Sequence, residues 1–178
     1  MRIPKLKPAR IEFTPATAYP IVNSDYFSAT RQFIDQAKIS VDILFFAARY
    51  YTGQSHHPVN KFFNSLRQAA NRGIKIRLLF NANFFQGDSL THNIAIIKHF
   101  KSPNLDAALA GKSTRLHSKM IIVDNQITIL GSHNHSVRAF SGNFETSIAV
   151  HSPAIATTYT DHFTRLWRSR QIVERSNP

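Results

Sequence analysis

Several features that would narrow the class of this protein are missing from its 178 residues. The chain contains no cysteine, which excludes disulfide bonds and thiolate zinc sites and leaves the cellular compartment open. No apolar stretch approaches the roughly 20 residues of a transmembrane helix. The basic first residues, MRIPKLKPARIEF, lack the apolar core of a signal peptide. The localisation stays open, since a periplasmic or secreted protein also fits if an export signal was removed.

Acidic residues are scarce, because 10 Asp and Glu stand against 22 Lys and Arg and give a formal charge of +12. Such a field concentrates polyanions near the surface and makes their binding salt-dependent. Nucleic acid is therefore the expected partner and an anionic membrane surface the second one. The alternative is a basic protein whose charge serves solubility alone.

Helix-like and strand-like segments alternate along the chain, which at 43% hydrophobic residues with 14 Phe has material for a sizeable core. Residues 1–17 are expected to form an extended basic arm, and residues 18–178 a single domain. The expected strands are 19–23, 40–51, 74–80, 105–110, 120–123, 127–130 and 144–150. Helices are expected at 24–38, 59–70 and 89–100, and a last one begins at Pro153. The pattern predicts an α/β fold, a layered α-β-α sandwich with a mixed central sheet.

Polar residues are concentrated in the stretch 116–134, LHSKMIIVDNQITILGSHN. Their spacing is H-x-K-x4-D-x6-G-S-x-N, and the residues are His117, Lys119, Asp124, Gly131, Ser132 and Asn134. Two apolar runs flank a polar triplet, which predicts a β-hairpin with a tight turn. The glycine leaves room for a ligand or another backbone to come close.

Residues two apart on a strand share a face. His117 and Lys119 are therefore expected side by side, as are Ser132 and Asn134. Asp124 is expected on the opposite face from His117, where it would hold the turn rather than take part in chemistry. An imidazole can attack phosphorus or transfer a proton near neutral pH, and the other groups can stabilise charge on the non-bridging oxygens. This set of groups is typical of a site for phosphate.

The spacing resembles the signature of the phospholipase D superfamily, and every defining position is present. The resemblance extends to Asn143-Phe144-Glu145, since the family commonly carries an N-x-E downstream. It implies a catalytic domain in which His117 forms a phosphohistidine, without a metal ion or other cofactor. The residues implied to bind the non-bridging oxygens are Lys119 and Asn134, with Ser132 assisting, and Glu145 is implied to orient the histidine.

Only one copy of the motif is present. The chain in this respect resembles the small, single-motif bacterial endonucleases of the family, which dimerise. The resemblance implies a homodimer in which the two motifs meet across a two-fold axis, and an endonuclease that cleaves DNA, with RNA left open.

Five further residues are candidates for substrate binding. Phe84 and Phe85 follow an expected strand at the sheet edge where ligands gather in α/β folds, and they are expected to stack on bases or to be buried. Arg49 ends another expected strand and is placed to reach a substrate. Lys112 and Arg115 precede the motif closely enough to bind a phosphate backbone, unless they are solvated loop charges.

Three alternatives remain at this stage. The same chemistry can act on an anionic phospholipid such as cardiolipin, although no amphipathic anchor is evident. A basic nucleic-acid-binding protein with a vestigial site is the second. The third is a metal site, either at the adjacent His56 and His57, which point apart on the chain, or at His117, His133 and His135.

Overall fold

The structure is a computed structural model that describes residues 12–83, 89–100, 102–111 and 115–173. Seven strands in this part form one sheet: β1 (Thr17–Val22), β2 (Ser40–Phe45), β3 (Lys75–Phe80), β4 (Leu105–Leu109), β5 (Met120–Val123), β6 (Ile127–Gly131) and β7 (Thr146–His151). The helices are α1 (Asp25–Gln36), α2 (Pro58–Asn71), α3 (Ser89–His99), α4 (Val137–Ser141) and α5 (Pro153–Arg168).

The strand order across the sheet is β1-β7-β6-β5-β2-β3-β4. Strands β2, β3 and β4 are parallel, and every other neighbouring pair is antiparallel. The β5–β6 hairpin turns at Asp124 and Asn125, both with positive φ, which these two residue types tolerate better than most. The predicted fold class, an α/β sandwich with a mixed sheet, is confirmed.

Side chains along the central strands alternate between the two faces of the sheet, so the hydrophobic core has two layers. In β2, Val41, Ile43 and Phe45 point into a cluster that includes residues of α1 to α4, whereas Leu44 points into a second cluster with Phe163 of α5. Both faces of the central strands are thus buried, which explains why β2 is apolar at nearly every position, with Asp42 as the exception, rather than alternating.

Asp42 places a carboxylate within this core. Asp42 of β2 is 4% exposed, and its carboxylate accepts two hydrogen bonds from Arg77 of β3, at 2.7 Å and 2.6 Å. The guanidinium also lies 4.8 Å from the ring centroid of Phe163. A buried carboxylate needs such a partner, because an unpaired charge at this depth would be strongly destabilising.

Several predicted boundaries differ from the structure, and two of the differences have a clear physical reason. The strand expected at 40–51 ends at Phe45, because the chain then pairs with the segment after β6: Arg49 N donates to His135 O at 3.1 Å, and His135 N donates to Ala47 O at 3.2 Å. Strand β1 begins at Thr17, inside the expected arm, and it accommodates Pro20 because it is an edge strand. Most of the arm, residues 1–11, lies outside the described residues.

None of the helices in the described ranges combines the length and the apolar character required to cross a bilayer.

Candidate active site

Every motif residue except Asp124 lies at one end of the strands, where β2 ends and β5 begins. Strand β5 is antiparallel to β2 and begins where β2 ends, and β6 returns to the same end, with Met120 opposite Leu130. Strand β7 starts there as well, because it is antiparallel to β6. The residues just before β5 and β7 and just after β2 and β6 are therefore neighbours in space.

His117 and Lys119 are in contact at this end of the strands. The Lys119 Nζ lies 3.4 Å from each ring nitrogen of His117 and donates to the His117 carbonyl at 2.9 Å. Both side chains pack on Phe46, with a centroid distance of 4.4 Å for the imidazole and 4.8 Å for the ammonium. Sequence reasoning missed Phe46, because it was counted within a longer strand; its place just after β2 becomes informative once the true end of β2 is known.

Restricted hydration lowers the pKa values of both His117 and Lys119, and positive charge lowers the pKa of His117 further. The pKa of His117 is lowered first by loss of hydration around its ring and then by the charges of Lys119 and Arg115. Burial lowers the pKa of Lys119, and the carboxylate of Glu145 opposes that shift in part. His117 is consequently a neutral imidazole at neutral pH, which is the form that can act as a nucleophile.

Glu145 is 9% exposed and is held by two side chains. Its carboxylate accepts hydrogen bonds from the Ser132 hydroxyl and, at 2.9 Å, from the Asn143 amide. Burial would raise the pKa of Glu145, but these hydrogen bonds and the cationic forms of His133 and Lys119 outweigh it and lower the pKa below its usual range. Among the described contacts none joins Glu145 directly to His117, so the expected orienting role stays a prediction.

The backbone of Glu145 is fixed by Asn23, which lies between β1 and α1. Glu145 N donates to Asn23 Oδ1 at 3.0 Å, and Asn23 N donates to Glu145 O at 2.9 Å. The Asn23 carbonyl lies 3.0 Å from His133 Nε2, and His133 Nδ1 lies 2.7 Å from Ser147 Oγ. The His133 ring also stacks on Tyr26 at 4.2 Å. No sequence signal pointed to Asn23, since it lies 122 residues from Glu145.

Gly131 brings β6 unusually close to β7. A Cβ at this position would come within 2.5 Å of Ser147 Cα and would also overlap Ser147 Oγ and Thr146 O. The space beside Gly131 that the sequence analysis predicted is therefore occupied by the backbone of β7. Because the two strands lie this close, the Ser132 hydroxyl reaches the Glu145 carboxylate.

Asp124 lies at the other end of the hairpin from this site. Its carboxylate accepts three backbone hydrogen bonds, from Lys38, Ile39 and Ser40 at 2.8, 2.7 and 2.9 Å. These residues join α1 to β2, so Asp124 ties the hairpin turn to the start of the neighbouring strand.

Asn134 lines a cavity of about 700 Å³. Its side-chain carbonyl oxygen is buried and has no hydrogen-bond partner among the residues that the structure describes. Arg49 and Tyr51, which follow β2, and Arg138 of α4 also line this cavity. Arg49 is therefore placed close to the motif, and Arg138 is a residue that the sequence did not single out for binding.

The other candidates are less well placed or lie beyond the description. Arg115 Nε donates to the Asn83 carbonyl at 3.2 Å, and its charge acts on His117. Phe84, Phe85 and Lys112 lie outside the described residues.

The two histidine sets considered for metal do not assemble. His57 Nδ1 accepts from Val59 N at 3.3 Å, capping α2. Both ring nitrogens of His133 have polar partners. His135 is buried against aromatic rings such as Phe45, at 4.5 Å, and burial lowers its pKa to about 3. Within the described residues, no group of three or more His, Cys, Asp or Glu comes together as a ligand set.

Comparisons with known proteins identify a family model that the chain matches and solved structures that share its fold. Residues 30–167 match the family model described as "Cardiolipin synthase, PLD-like domain". No curated protein sequence matches the chain.

Three solved structures share the fold at low sequence identity. NucT from Helicobacter pylori has a TM-score of 0.70 at 19% identity, over 88% of this chain and 98% of its own. Nuc from Salmonella typhimurium, a phospholipase D family member, has a TM-score of 0.75 at 18% identity, over 90% and 100%. TrmBL2, an archaeal chromatin protein, has a TM-score of 0.60 at 15% identity, over 88% of this chain and 54% of its own.

The matched segment contains both the H-x-K-x4-D-x6-G-S-x-N stretch and Glu145, and it spans most of the sheet. The chain therefore belongs to the phospholipase D superfamily.

Proposed function

We propose that the protein is a metal-independent phosphodiesterase that cleaves DNA, with activity on RNA left open, through a phosphohistidine in a homodimer. The observation that carries this proposal is the contact of His117 with Lys119 at 3.4 Å, on a chain with a formal charge of +12. The lowered pKa of His117 favours its neutral imidazole. The ammonium of Lys119 beside it can bind an anion. A phosphodiester provides both the electrophile and the negative charge.

In the proposed reaction, an imidazole nitrogen of His117 attacks phosphorus and forms a P–N bond. The P–O bond to the leaving group breaks, and His117 of the second copy gives that oxygen its proton. The second imidazole then takes a proton from water, whose oxygen attacks phosphorus and breaks the P–N bond. Lys119 and Asn134 would bind the non-bridging oxygens as charge builds up on them.

The mechanism needs a second copy of the chain, because the chain has one motif. An exposed aromatic residue supports a contact of that second copy at the rim of the active site. Phe144 is 99% exposed although it stands between Asn143 and Glu145. Val137 of α4 is 40% exposed. A large apolar side chain in water at the rim of a site is typical of a surface that a partner covers.

This dimer has a direct test. Phe144→Ser should weaken dimerisation in sedimentation and reduce cleavage at low protein concentration, with activity restored as concentration rises. Phe13→Ser is the matched control, since Phe13 is 97% exposed and belongs to no site element. A monomeric wild-type protein that cleaves at full rate would contradict the two-copy mechanism.

Nucleic acid is favoured over lipid as the substrate. The charge of +12 suits a polyanion, and TrmBL2, which shares the fold, is described by its DNA binding. The description of the matching family, "Cardiolipin synthase, PLD-like domain", favours the second candidate, hydrolysis of an anionic phospholipid. A non-catalytic nucleic-acid-binding protein is the third.

One assay separates these candidates. Purified protein in excess EDTA is tested on single-stranded DNA, duplex DNA, RNA and cardiolipin vesicles, with His117→Ala and the exposed control His56→Ala alongside. We expect cleavage of nucleic acid, lost by at least a thousandfold in His117→Ala, with DNA affinity within about threefold of wild type. Hydrolysis of vesicles alone would establish the lipid candidate, and binding without cleavage would establish the third. Unchanged cleavage by His117→Ala would refute the mechanism.

A further inference from the structure

A cavity beside Asn134 has no role in the contacts described so far. Its described lining consists of Ala47, Ala48, Arg49 and Tyr51 after β2, Ser89 of α3, and Asn134, Ser136, Val137 and Arg138 after β6. The volume of about 700 Å³ lies within the range of small-ligand sites. Because Asn134 belongs to both the motif and the cavity lining, a ligand in the cavity would lie beside the phosphate that the motif is proposed to bind.

The charged residues in the described part of the cavity lining all have positive charge. Arg49 and Arg138 line the cavity, and its described lining contains no Asp or Glu. Both arginines are exposed, and within the described residues neither makes a side-chain hydrogen bond, an ion pair or a ring contact.

Most other arginines of the described part are engaged within the protein. The engaged side chains are Arg31 with Asp35, Arg67 on Phe100, Arg72 with two carbonyls of α1, Arg77 with Asp42, Arg115 with Asn83 and Arg170 with Trp167. Apart from the cavity pair, Arg165 and Arg168, in the last turn of α5, are the described arginines without such contacts. They provide a matched comparison.

The two guanidinium groups indicate the kind of ligand. A guanidinium binds a phosphate through two parallel hydrogen bonds. The amide of Asn134, which belongs to the same lining, has both donor and acceptor atoms that can pair with a base or a sugar hydroxyl. A ligand that carries a phosphate beside a base or sugar fits this lining.

We propose that this cavity binds the nucleotide next to the scissile phosphate, with Arg49 and Arg138 on that nucleotide's own phosphate. The proposal rests on the proposed function and deepens it, since it makes the substrate a polynucleotide rather than an isolated diester. The cavity gives longer substrates an advantage that a minimal diester lacks.

The test compares two substrates, a single-stranded oligonucleotide of about ten residues and bis(p-nitrophenyl) phosphate. The quantity measured is the ratio of kcat/KM for the oligonucleotide to kcat/KM for the small diester. Arg49→Gln and Arg138→Gln should each lower this ratio about tenfold, as expected for one charged hydrogen-bonding group. Each should also reduce the slope of log KM against log salt by about 1. The control double variant, Arg165→Gln with Arg168→Gln, should change the ratio less than twofold.

The outcomes distinguish a failure of the proposed nucleotide subsite from a failure of the proposed nuclease function. If the wild type cleaves the oligonucleotide and the ratio is unchanged in the Arg49 and Arg138 variants, the subsite is refuted and the nuclease function stands. An equal fall in the α5 control variant also refutes the subsite, because it would show a general effect of charge. A wild type that hydrolyses the small diester or cardiolipin vesicles but no nucleic acid refutes both.

Discussion

Replacing Asp124 separates a structural role from a chemical one at a position that the family motif includes. Its carboxylate accepts backbone hydrogen bonds from Lys38, Ile39 and Ser40 at 2.7–2.9 Å. It lies at the turn end of the hairpin, away from His117. We expect changes here to lower the free energy of unfolding and to leave the chemical step of the folded protein almost intact.

The magnitudes follow from the geometry. Lys38 and Ile39 are exposed, so water replaces part of each lost hydrogen bond, and Asp124→Gly should cost about 3 kcal/mol in total for three bonds at ~1 kcal/mol each. Asp124→Ala should cost about 1–2 kcal/mol more, because an alanine at φ +54 is strained. Asp124→Asn keeps one acceptor oxygen and tolerates this φ, so about 1 kcal/mol is expected.

Urea unfolding measures these differences, and kcat on an oligonucleotide is measured under conditions where each variant is more than nine-tenths folded. We expect stability to fall in the order Asn, Gly, Ala, with kcat within about threefold of wild type for all three. The reasoning fails if Asp124→Asn loses cleavage a hundredfold while its unfolding midpoint is unchanged, since that would place the carboxylate at the substrate.

Three further predictions concern the other end of the hairpin. Gly131→Ala should destabilise the protein by about 2 kcal/mol or more in urea unfolding, because its Cβ would overlap β7; the control Gly142→Ala, with no atom closer than 3.5 Å, should stay within about 0.5 kcal/mol. Asn23→Ala should lower kcat roughly tenfold with KM within about twofold, because it releases the backbone of Glu145. Asn23→Asp should restore kcat, and an equal loss in both variants would contradict a positioning role. The acid limb of kcat/KM should lie below pH 6.5, since the nucleophile must be neutral and the pKa of His117 is lowered from 6.5; a limb at or above that pH would show that another group controls it.

Local geometry explains which parts of the site could be predicted from the sequence. The two-residue period of a strand placed His117 beside Lys119, and it placed Asp124 away from them. These relations depend only on neighbours in sequence and on backbone geometry. They are independent of how the sheet is assembled.

The contacts that complete the site depend on strand order, which the alternation of elements does not determine. Asn23 reaches Glu145 because β1 pairs with β7 at the far end of the sheet, an arrangement compatible with several other strand orders. Phe46 was hidden for a different reason. An apolar run has no internal signal for where a buried strand ends, so the turn after Phe45 could not be located.

The charge balance of the site explains why a phosphate should complete it. Loss of hydration is the largest cause of the lowered pKa of His117, and the charges of Lys119 and Arg115 lower it further. Among the described residues, Glu145 is the carboxylate that acts on the pKa of Lys119. That carboxylate already accepts hydrogen bonds from Ser132 and Asn143. It therefore reduces the positive potential of the site, but among the described contacts it forms no direct ion pair with Lys119. A bound phosphodiester adds negative charge where the cations converge, and this reverses the repulsion that lowers the pKa of His117. Substrate binding should therefore raise that pKa, and in the two-copy mechanism the same shift favours the protonated imidazole that donates to the leaving oxygen.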